Sequence, residues 1–579
     1  MTRKPIGYFT FVLHAHLPYV LAHGKWPHGM DWLNEATAET YIPILNIMNE
    51  MLEAGHTPKM SISISPVLCE QLADDSFKEE FESYLRQKIM AAINDQIQFE
   101  KYRQTNMLEL ARMWETYYRK ILADFLERYH RDLLGEFRRL ADAGYLDIIT
   151  CGATHGYLPL LGLDNSVQAQ VKAAIAAHKH YFGKAPRGMW LPECAYRPRY
   201  QWIPPVDSVL GKTPRLRKGV DEILSENGIE YFFVDSVLLR GGKAIGVYLD
   251  RFEALKRLWA QYEKEMPLRE VDEEKSPYEI YLVSSNPEVK KPVAIFTRDP
   301  KTGLQVWSGE WGYPGDGWYL DFHKKHFPGG HRYWRVTTAN SDLADKQEYH
   351  PEQAKERVPE NASHFVQLIK DTLHEHYQKT GIPGVLTAPF DAELFGHWWF
   401  EGPEFLKQVM ILLQQQDEVV LSHAAEVLDL KKPKQVITIP EGSWGEGGYH
   451  YIWLNEDTSW TWPHIYHDEK RLIDFLNQVD YKANPQLEEV LKQAARELML
   501  LQASDWQFLI STWAARDYAE LRITEHHNDF NRLMNIADNL SKNAQLNEVD
   551  RLVLEDSQKK DALFPQLELE WFAKLDFPV

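Results

Sequence analysis

Two carboxylic acids each follow a short apolar segment, where the end of a strand would present them on a catalytic face. Glu193 lies in GMWLPECAY, and Asp391 lies in GVLTAPFDAELFGHWWFEG, with Glu393 two residues later. A sugar acetal breaks when its leaving oxygen is protonated and its oxocarbenium-like centre is stabilised, and two carboxyl groups in different environments can do both. The pattern therefore predicts glycoside chemistry with Glu193 as the nucleophile. Residue types alone leave the second carboxyl open between Asp391 and Glu393.

Three histidines accompany these acids at predicted strand ends. His14 and His16 stand two apart at the end of the first strand and therefore point to the same side, and His155 lies in GATHG. Imidazoles at these positions would hydrogen-bond sugar hydroxyls. A hydrolytic zinc site is the alternative, but the sequence has neither an HExxH motif nor a paired cysteine spacing to support it. We therefore predict a site without a metal.

Aromatic side chains indicate the ligand class. Trp, Tyr and Phe make up 12% of the chain, and many stand beside Gly, Pro, His and carboxylates rather than in apolar runs. A flat ring covers the weakly apolar face of a sugar while polar neighbours bind its hydroxyls. The alternative for any single tryptophan is core filling. Taken together, these clusters predict a carbohydrate ligand.

Composition excludes several other classes of protein. The 579 residues carry a net charge of −20, which argues against a nucleic-acid partner. Apolar runs are too short to span a bilayer, and the amino-terminal segment is interrupted by His14, His16 and Pro18, so we interpret it as a strand rather than a signal peptide. Cys69, Cys151 and Cys194 form no metal or disulfide pattern. These features predict a cytoplasmic protein without a membrane partner.

Strand and helix patterns alternate through most of the chain. Apolar runs predict strands, and amphipathic segments that end at glycine, such as SVQAQVKAAIAAHKHYFG, predict helices between them. The order favours a parallel α/β barrel with its chemistry on the loops that follow the strands. The predicted strands lie in the segments beginning at Ile6, Lys59, Tyr145, Gly188, Ile229 and Gly384.

Two regions depart from this alternation. Residues from about 74 to 143 are charged and helical, which predicts an inserted helical unit, and the chain beyond about residue 434 predicts a helical carboxy-terminal domain. The charged segment 251–292 is interpreted as a solvated excursion that carries no chemistry.

Five motifs in order give the chain a family resemblance. HAHLPY, GATHGYLPLL, MWLPECAYRP, VWSGEWGYPGDGWY and FDAELFGHWWFEGP resemble glycoside hydrolase family 57, and within it the 1,4-α-glucan branching enzymes. The resemblance implies an incomplete (β/α)7 TIM-like barrel, an inserted helical domain and a carboxy-terminal all-helical domain. We place the barrel at residues 1–93 and 146–434, the insertion at 94–145 and the carboxy-terminal domain at 435–579. Retention of the α configuration, without a cofactor or metal, is also implied.

The resemblance carries roles to individual residues. Glu193 resembles the nucleophile and Asp391 the general acid/base, while His14, His16 and His155 resemble the polar residues of the donor sugar's subsite. Further substrate-binding residues are expected at Trp307, Trp444, Trp453, Trp26, Trp32, Asp505 and His397.

The resemblance also implies a functional role for one loop. Branching enzymes of the family carry a mobile loop after the strand that resembles YFFVD, with a tyrosine near its tip that favours transfer over hydrolysis. Here the loop reads SVLLRGGKAIGVYLD, which puts Ile245 at that position and Tyr248 as the nearest phenol. The expected substrate is an α-1,4-glucan, and the chain is expected to be a monomer or small homo-oligomer. The alternatives are an α-amylase or 4-α-glucanotransferase of the same family, or a glucan-binding homologue with a vestigial site.

Overall fold

A computed structural model describes residues 4–240, 274–308, 312–338, 340–542 and 545–575, together with residues 254 and 257. Its strands alternate with helices until the carboxy-terminal region, which is helical. In chain order the strands are β1 Gly7–Ala15, β2 Met60–Ile64, β3 Leu146–Cys151, β4 Gly188–Trp190, β5 Tyr200–Trp202, β6 Arg215–Arg217, β7 Tyr231–Asp235, β8 Tyr281–Val283, β9 Val293–Arg298, β10 Gly384–Asp391, β11 Val419–Leu421 and β12 Val436–Ile437.

Seven parallel strands close into a barrel. Their order is β1, β2, β3, β4, β7, β9 and β10, and β10 returns to β1 through an eight-residue register from Gly7↔Gly384 to His14↔Asp391. The β9–β10 seam is much shorter, since it pairs Thr387 with Arg298 alone. β8 runs antiparallel to β9, β12 pairs with β8, and β11 pairs with β1 outside the ring. The predicted incomplete (β/α)7 barrel is confirmed.

Six of the seven barrel strands were predicted from the sequence, and β9 was missed. Its residues VAIFTR are all buried and lie between Pro292 and Pro300. Such a short apolar run with β-branched residues is typical of a buried parallel strand. Periodicity alone does not distinguish a run this short from a buried helix segment.

Helices cover the barrel and build the remainder of the chain. Helix α7 ends where predicted, because Gly183 adopts a left-handed conformation with φ 72°. In chain order the α-helices of the described residues are α1 Met30–Ala36, α2 Ile42–Glu53, α3 Pro66–Ala73, α4 Asp75–Lys101, α5 Thr105–Ala123, α6 Leu133–Asp142, α7 Asp164–Phe182, α8 Val220–Glu226, α9 Val237–Arg240, α10 Pro300–Trp307, α11 Pro351–Thr380, α12 Gly402–Gln414, α13 Ala424–Leu430, α14 Thr461–Gln478, α15 Pro485–Leu501, α16 Asp505–Thr512, α17 Arg516–Leu540, α18 Glu548–Lys560 and α19 Glu570–Ala573.

Two groups of helices lie outside the barrel alternation. Helices α4 to α6 follow one another between β2 and β3, and α14 to α19 form the helical carboxy-terminal region. The predicted limit between residues 93 and 94 falls inside α4, and the division into domains stays a prediction. Among the described residues no helix has the length and apolar character needed to cross a membrane.

Buried side chains of several strands fill the barrel interior. Val12, Ile149, Trp190, Phe233 and Phe296 belong to one buried cluster, with Trp190 packed against Phe233 at a centroid distance of 5.8 Å. A parallel barrel is filled in this way by inward-pointing side chains, so it is a packed core rather than a channel. The cluster forms the floor beneath the carboxyl ends of the strands.

Candidate active site

A cavity of about 430 Å³ opens where the barrel strands end. It contains both predicted catalytic carboxyls together with the three predicted histidines. Its lining consists of His14, His16, Leu17, His155, Glu193, Phe322, His323, Asp391, Glu393, Trp398, Trp444, Asp505 and Phe508. Carboxyl, imidazole and aromatic groups are thus combined in one depression, as a sugar-processing site requires.

Glu193 lies at the edge of this cavity in an unusual backbone conformation. Glu193 and its neighbour Cys194 have φ values of 61° and 49°, in the left-handed region that residues other than glycine rarely adopt. The backbone N–H of Trp444 donates to the Glu193 carbonyl at 3.1 Å. The Trp444 indole Nε1 donates to Glu193 Oε2 at 2.7 Å. Two hydrogen bonds from one tryptophan thus fix both the backbone and the carboxylate of the predicted nucleophile.

Electrostatics make Glu193 an unusual carboxyl. Burial raises its pKa to about 8, and the charges of Asp391 and Asp505 act in the same direction. The hydrogen bond from Trp444 opposes that rise because it stabilises the ionised form. A strongly perturbed carboxyl in a cleft is a typical feature of a catalytic site.

Asp391 is the last residue of β10, where it pairs in register with His14 of β1. Glu393, two residues further, is buried and accepts two hydrogen bonds on Oε1, from the Tyr41 hydroxyl at 2.6 Å and the backbone N–H of His16 at 3.1 Å. Burial raises the pKa of Glu393 to about 8, and the charge of Asp391 adds to the rise. Glu393 is therefore anchored by protein donors.

The three predicted histidines meet in one stack. His16 and His155 lie face to face with ring centroids 3.8 Å apart, and His14 rests on Trp190 at 5.1 Å. His14 Nε2 and His155 Nε2 share a hydrogen bond of 3.0 Å. Burial lowers the pKa of both His14 and His155 well below the usual value, with His16 adding to the effect. Neutral imidazoles can both donate to and accept from sugar hydroxyls.

Some of these groups are close enough to be considered as metal ligands. His16, His155 and Asp505 each bring a ligand atom within 4.8 Å of the others, as do His14, Cys151 and His155. His16 stacks on His155 with an interplanar angle of 11°, so the in-plane lone pairs of the two rings lie in nearly parallel planes. Metal ligands must instead converge on one point. This geometry favours hydrogen bonding as the role of the stack.

The carboxy-terminal helical region completes the site. Asp505 at the start of α16 contacts His16 Nε2 with both carboxylate oxygens at 3.0 Å. Ser504 contacts His155 Nδ1 through its hydroxyl at 2.7 Å, and its backbone N–H donates to the His155 carbonyl at 2.9 Å. Phe508, one turn later, lines the cavity. The barrel histidines are therefore oriented by residues more than 300 positions away in sequence.

The predicted substrate-binding tryptophans occupy different positions. Trp444 lines the cavity, whereas Trp307 is buried beside Phe390 and Trp398, with ring centroids 6.2 and 6.4 Å away. Trp453 is also buried. It stacks on Tyr157 at 4.4 Å and lies against Gly445, next to Trp444. In this conformation Trp307 and Trp453 support the wall of the cavity rather than line it.

Trp26 lies at a second depression of about 520 Å³ beside α17, and Trp32 lies next to one of its lining residues, Tyr518. Trp26 is 73% exposed and lines that depression, and Trp32 packs edge-on against Tyr518 at 5.4 Å. His397 is bound through Nδ1 to Glu39 Oε2 at 2.7 Å. Ile245 and Tyr248 lie outside the described residues.

Several residues of the site were not singled out from the sequence. Tyr41 and Ser504 hold Glu393 and His155, and Phe322, His323 and Phe508 line the cavity. Tyr41 lies inside a helix pattern and Phe322 in an irregular loop, so neither has a local signal. The nearest available signal is the aromatic and carboxylate cluster LQASDWQF, which contains Ser504 and Phe508.

Comparisons with known proteins agree with this arrangement. The model of glycosyl hydrolase family 57 matches residues 10–440, and the model of the 1,4-alpha-glucan branching enzyme carboxy-terminal region matches residues 464–572. A 1,4-alpha-glucan branching enzyme of Thermococcus kodakarensis is 41% identical over 559 residues, which cover 96% of this chain and 77% of the relative.

Solved structures give the same family. A GH57-type branching enzyme from Pyrococcus horikoshii superposes with a TM-score of 0.87 at 38% identity, covering 99% of this chain and 97% of that one. The α-amylase AmyC from Thermotoga maritima superposes with a TM-score of 0.80 at 30% identity, covering 99% of this chain and all of that one. With the family model spanning most of its length and two acids at the barrel's strand ends, this chain belongs to glycosyl hydrolase family 57.

Proposed function

We propose that the protein is a 1,4-α-glucan branching enzyme that cleaves an α-1,4-glucan and transfers the released chain to a 6-hydroxyl. The observation that carries the proposal is the meeting of Glu193 and Asp391 in one cavity flanked by Trp398, Trp444 and Phe508. The two relatives described above as branching enzymes, each matched over most of its length, support transfer as the outcome.

The first half-reaction breaks the α-1,4 bond. Asp391 gives its proton to the departing glycosidic oxygen while Glu193 attacks the anomeric carbon, forming a covalent glycosyl-enzyme. Glu193 must be ionised and Asp391 protonated at that moment. The Trp444 indole stabilises the ionised Glu193, and the positive charge that develops at the anomeric carbon stabilises it further.

The second half-reaction forms the branch. Asp391, now ionised, takes the proton of an acceptor's 6-hydroxyl, and that oxygen attacks the anomeric carbon and displaces Glu193. Two inversions leave the α configuration unchanged. Transfer outcompetes hydrolysis when the acceptor is held close and water is restricted, which is the role we assign to Phe322, Trp398 and Phe508 around the carboxyls.

The loop that contains Ile245 and Tyr248 enters this proposal through the family resemblance. A tyrosine near the tip would favour transfer, so Ile245→Tyr is expected to lower the number of reducing ends formed for each branch. Tyr248→Phe tests whether the neighbouring phenol already supplies that function. A rise in hydrolysis in Tyr248→Phe would assign the role to Tyr248.

The cellular setting is part of the same proposal. The cysteines Cys69, Cys151 and Cys194 are free and buried, which fits a reducing compartment. We propose a cytoplasmic enzyme of glycogen-like storage that works on amylose or glycogen-like chains as a monomer or small homo-oligomer, without a nucleic-acid or membrane partner. Chromatography with light scattering measures the oligomeric state.

Incubation with linear amylose tests the activity. Reducing ends are counted before and after enzymatic debranching, and Glu193→Gln serves as the inactive control. We expect new α-1,6 branches with few free reducing ends. Reducing ends without branches would identify the α-amylase alternative, and a shift in chain lengths without branches would identify a 4-α-glucanotransferase. Equal results for the wild type and Glu193→Gln would favour a glucan-binding homologue.

A further inference from the structure

A π-helical turn interrupts the first long helix of the barrel. Residues Thr37–Tyr41 lie between α1 and α2, and the backbone N–H of Ile42 donates to the Thr37 carbonyl five residues earlier. All five residues of the turn are buried. Such turns are rare in proteins, and those that do occur are often found at functional sites.

Three consecutive residues of this π-turn contact the loop that follows Asp391. The Tyr41 hydroxyl donates to Glu393 Oε1 at 2.6 Å. The backbone N–H of His397 donates to Thr40 Oγ1 at 3.2 Å, and His397 Nδ1 pairs with Glu39 Oε2 at 2.7 Å. The turn therefore holds the loop by one bond near its start and two near its end.

Backbone packing between the turn and the loop is equally close. Gly396 has φ +114°, and a Cβ atom added there would lie 1.7 Å from the carbonyl oxygen of Glu39. The loop thus rests directly on the backbone of the turn, and only glycine fits at this position.

A buried arginine joins the two segments from the other side. Arg332 Nη2 lies 3.1 Å from Glu39 Oε2, and its Nη1 donates to the His397 carbonyl at 2.9 Å. Arg332 and His397 lower the pKa of Glu39 to about 2 in spite of its burial, so Glu39 is ionised at neutral pH. Side-chain and backbone contacts together make the turn and the loop one unit.

We propose that the π-turn Thr37–Tyr41 is the positioning element for Asp391, and that Tyr41 is a positioning residue that acts through Glu393. The inference rests on the proposed role of Asp391 as general acid/base. Because Asp391 and Glu393 are two residues apart, the hydroxyl that anchors Glu393 also limits the movement of Asp391. Tyr41 reaches Glu393 rather than the reacting atoms, so its contribution is positional.

The same contact acts on the protonation of Glu393. Glu393 faces Tyr41 of the π-turn, His16 just after β1 and Asp391 of β10, with Glu39, His397 and Arg332 beyond them. Burial raises the pKa of Glu393 to about 8, the charge of Asp391 adds to that rise, and the Tyr41 hydroxyl opposes it. Without the Tyr41 hydroxyl Glu393 keeps its proton to higher pH.

Tyr41→Phe tests the proposal, with Tyr117→Phe as the matched control. The Tyr117 hydroxyl donates to the Ala38 carbonyl of the same π-turn at 2.9 Å, so the control deletes an equivalent hydrogen bond. Amylose requires protonation of its leaving group, whereas fluoride leaves from α-maltosyl fluoride without a general acid. For Tyr41→Phe we expect kcat on amylose to fall about 10-fold and kcat on the fluoride to change less than 2-fold. Tyr117→Phe is expected to match the wild type.

Equal losses on both substrates would overturn the proposal. Thermal unfolding of both variants checks that each is folded. Crystal structures of the two variants provide a readout that needs no activity, since a displaced Asp391 carboxylate supports the proposal and an unmoved one contradicts it. If the wild type does not act on amylose, the proposed function fails, and the crystal structures still decide whether Tyr41 positions Asp391.

Discussion

Trp444 binds Glu193 twice. Its backbone N–H donates to the Glu193 carbonyl, and its indole N–H donates to Glu193 Oε2 at 2.7 Å, whereas Glu193 Oε1 is the carboxylate oxygen nearest His155. One carboxylate oxygen is therefore held by a donor. The other, Oε1, lies 3.9 Å from His155 Nδ1 at the edge of the cavity. Trp444 comes from the chain beyond the barrel strands, so the environment of the proposed nucleophile depends on residues that follow the last barrel helix.

Trp444→Phe retains the ring and removes this donor. The hydrogen bond favours the ionised Glu193, so its loss is expected to raise the pKa of Glu193 above the present value of about 8. Because the nucleophile must be ionised, the acid limb of kcat/KM moves to higher pH. A bond to a charged group contributes roughly 1.5–3 kcal/mol, which corresponds to a loss of about 10- to 100-fold at pH 7. The pH profile with α-maltosyl fluoride measures the effect.

Trp453→Phe is the control for this experiment, because the Trp453 indole stacks on Tyr157 instead of binding Glu193. It is expected to keep the wild-type acid limb. An unchanged limb in Trp444→Phe would show that the indole bond does not tune the nucleophile.

Asp391→Asn and Glu393→Gln separate the two acids that residue types alone left open. If Asp391 is the acid/base, Asp391→Asn loses about 10³-fold in kcat/KM on amylose and much less on α-maltosyl fluoride. Azide, a small nucleophile that needs no general base, would restore turnover of the fluoride and give a glycosyl azide of retained configuration. Glu393→Gln is expected to keep the ratio of the two substrates closer to the wild type. Azide rescue of Glu393→Gln instead would assign the acid/base role to Glu393.

Asp505→Asn tests the contribution of the carboxy-terminal region. Asp505 binds His16 Nε2 and so keeps a proton on that nitrogen, which fixes the imidazole's orientation in the stack with His155. An asparagine amide can present either its oxygen or its nitrogen, so the orientation is lost. We expect kcat/KM on amylose to fall about 10-fold, as for loss of one hydrogen bond to a charged group. Asp517→Asn, at an exposed position early in α17, is the control. An equal decrease in both variants would contradict the assignment.

Sequence patterns predict those parts of the site that follow strand ends. Glu193, Asp391, His14, His16 and His155 each come shortly after an apolar run, and the closure of a parallel barrel brings such ends together. Their convergence in one cavity agrees with that prediction.

Other parts depend on tertiary contacts that no local pattern encodes. Tyr41 reaches Glu393 across 352 positions, and Ser504 reaches His155 across 349. Tyr41 is the last residue of the π-turn, for which TAETY gives no periodic signal. The family resemblance assigned Trp307 and Trp453 to substrate binding, and both side chains are buried in this structure. β9 was missed for a different reason, because periodicity alone does not distinguish a short apolar run such as VAIFTR from a buried helix segment.

Glu469, in the carboxy-terminal helical region away from the cavity, is expected to make the free energy of unfolding depend on pH. This carboxyl of α14 is fully buried, accepts from Gln502 Nε2 at 3.0 Å, and has its pKa raised to about 8 by burial, with Arg217 acting in opposition. Below the unfolded value near 4.5 both states hold the proton, and this group causes no pH dependence. Between about 4.5 and 8 the unfolded state releases the proton while the folded state keeps it, so stability falls as pH rises, by up to about 1.4 kcal/mol per pH unit. Above pH 8 both states are ionised and the loss levels off.

Glu469→Gln removes the titration while keeping a polar side chain of similar shape. The melting temperature of the variant relative to the wild type should therefore become more favourable from pH 5 to pH 8 and stay constant above that. Differential scanning calorimetry at several pH values measures the difference, and the exposed Glu555 of α18 supplies the control Glu555→Gln, for which no trend is expected. A difference for Glu469→Gln that stays flat with pH would mean that the folded protein ionises Glu469 as readily as the unfolded chain does. Activity on amylose should be unchanged, because Glu469 lies outside the cavity that holds Glu193 and Asp391.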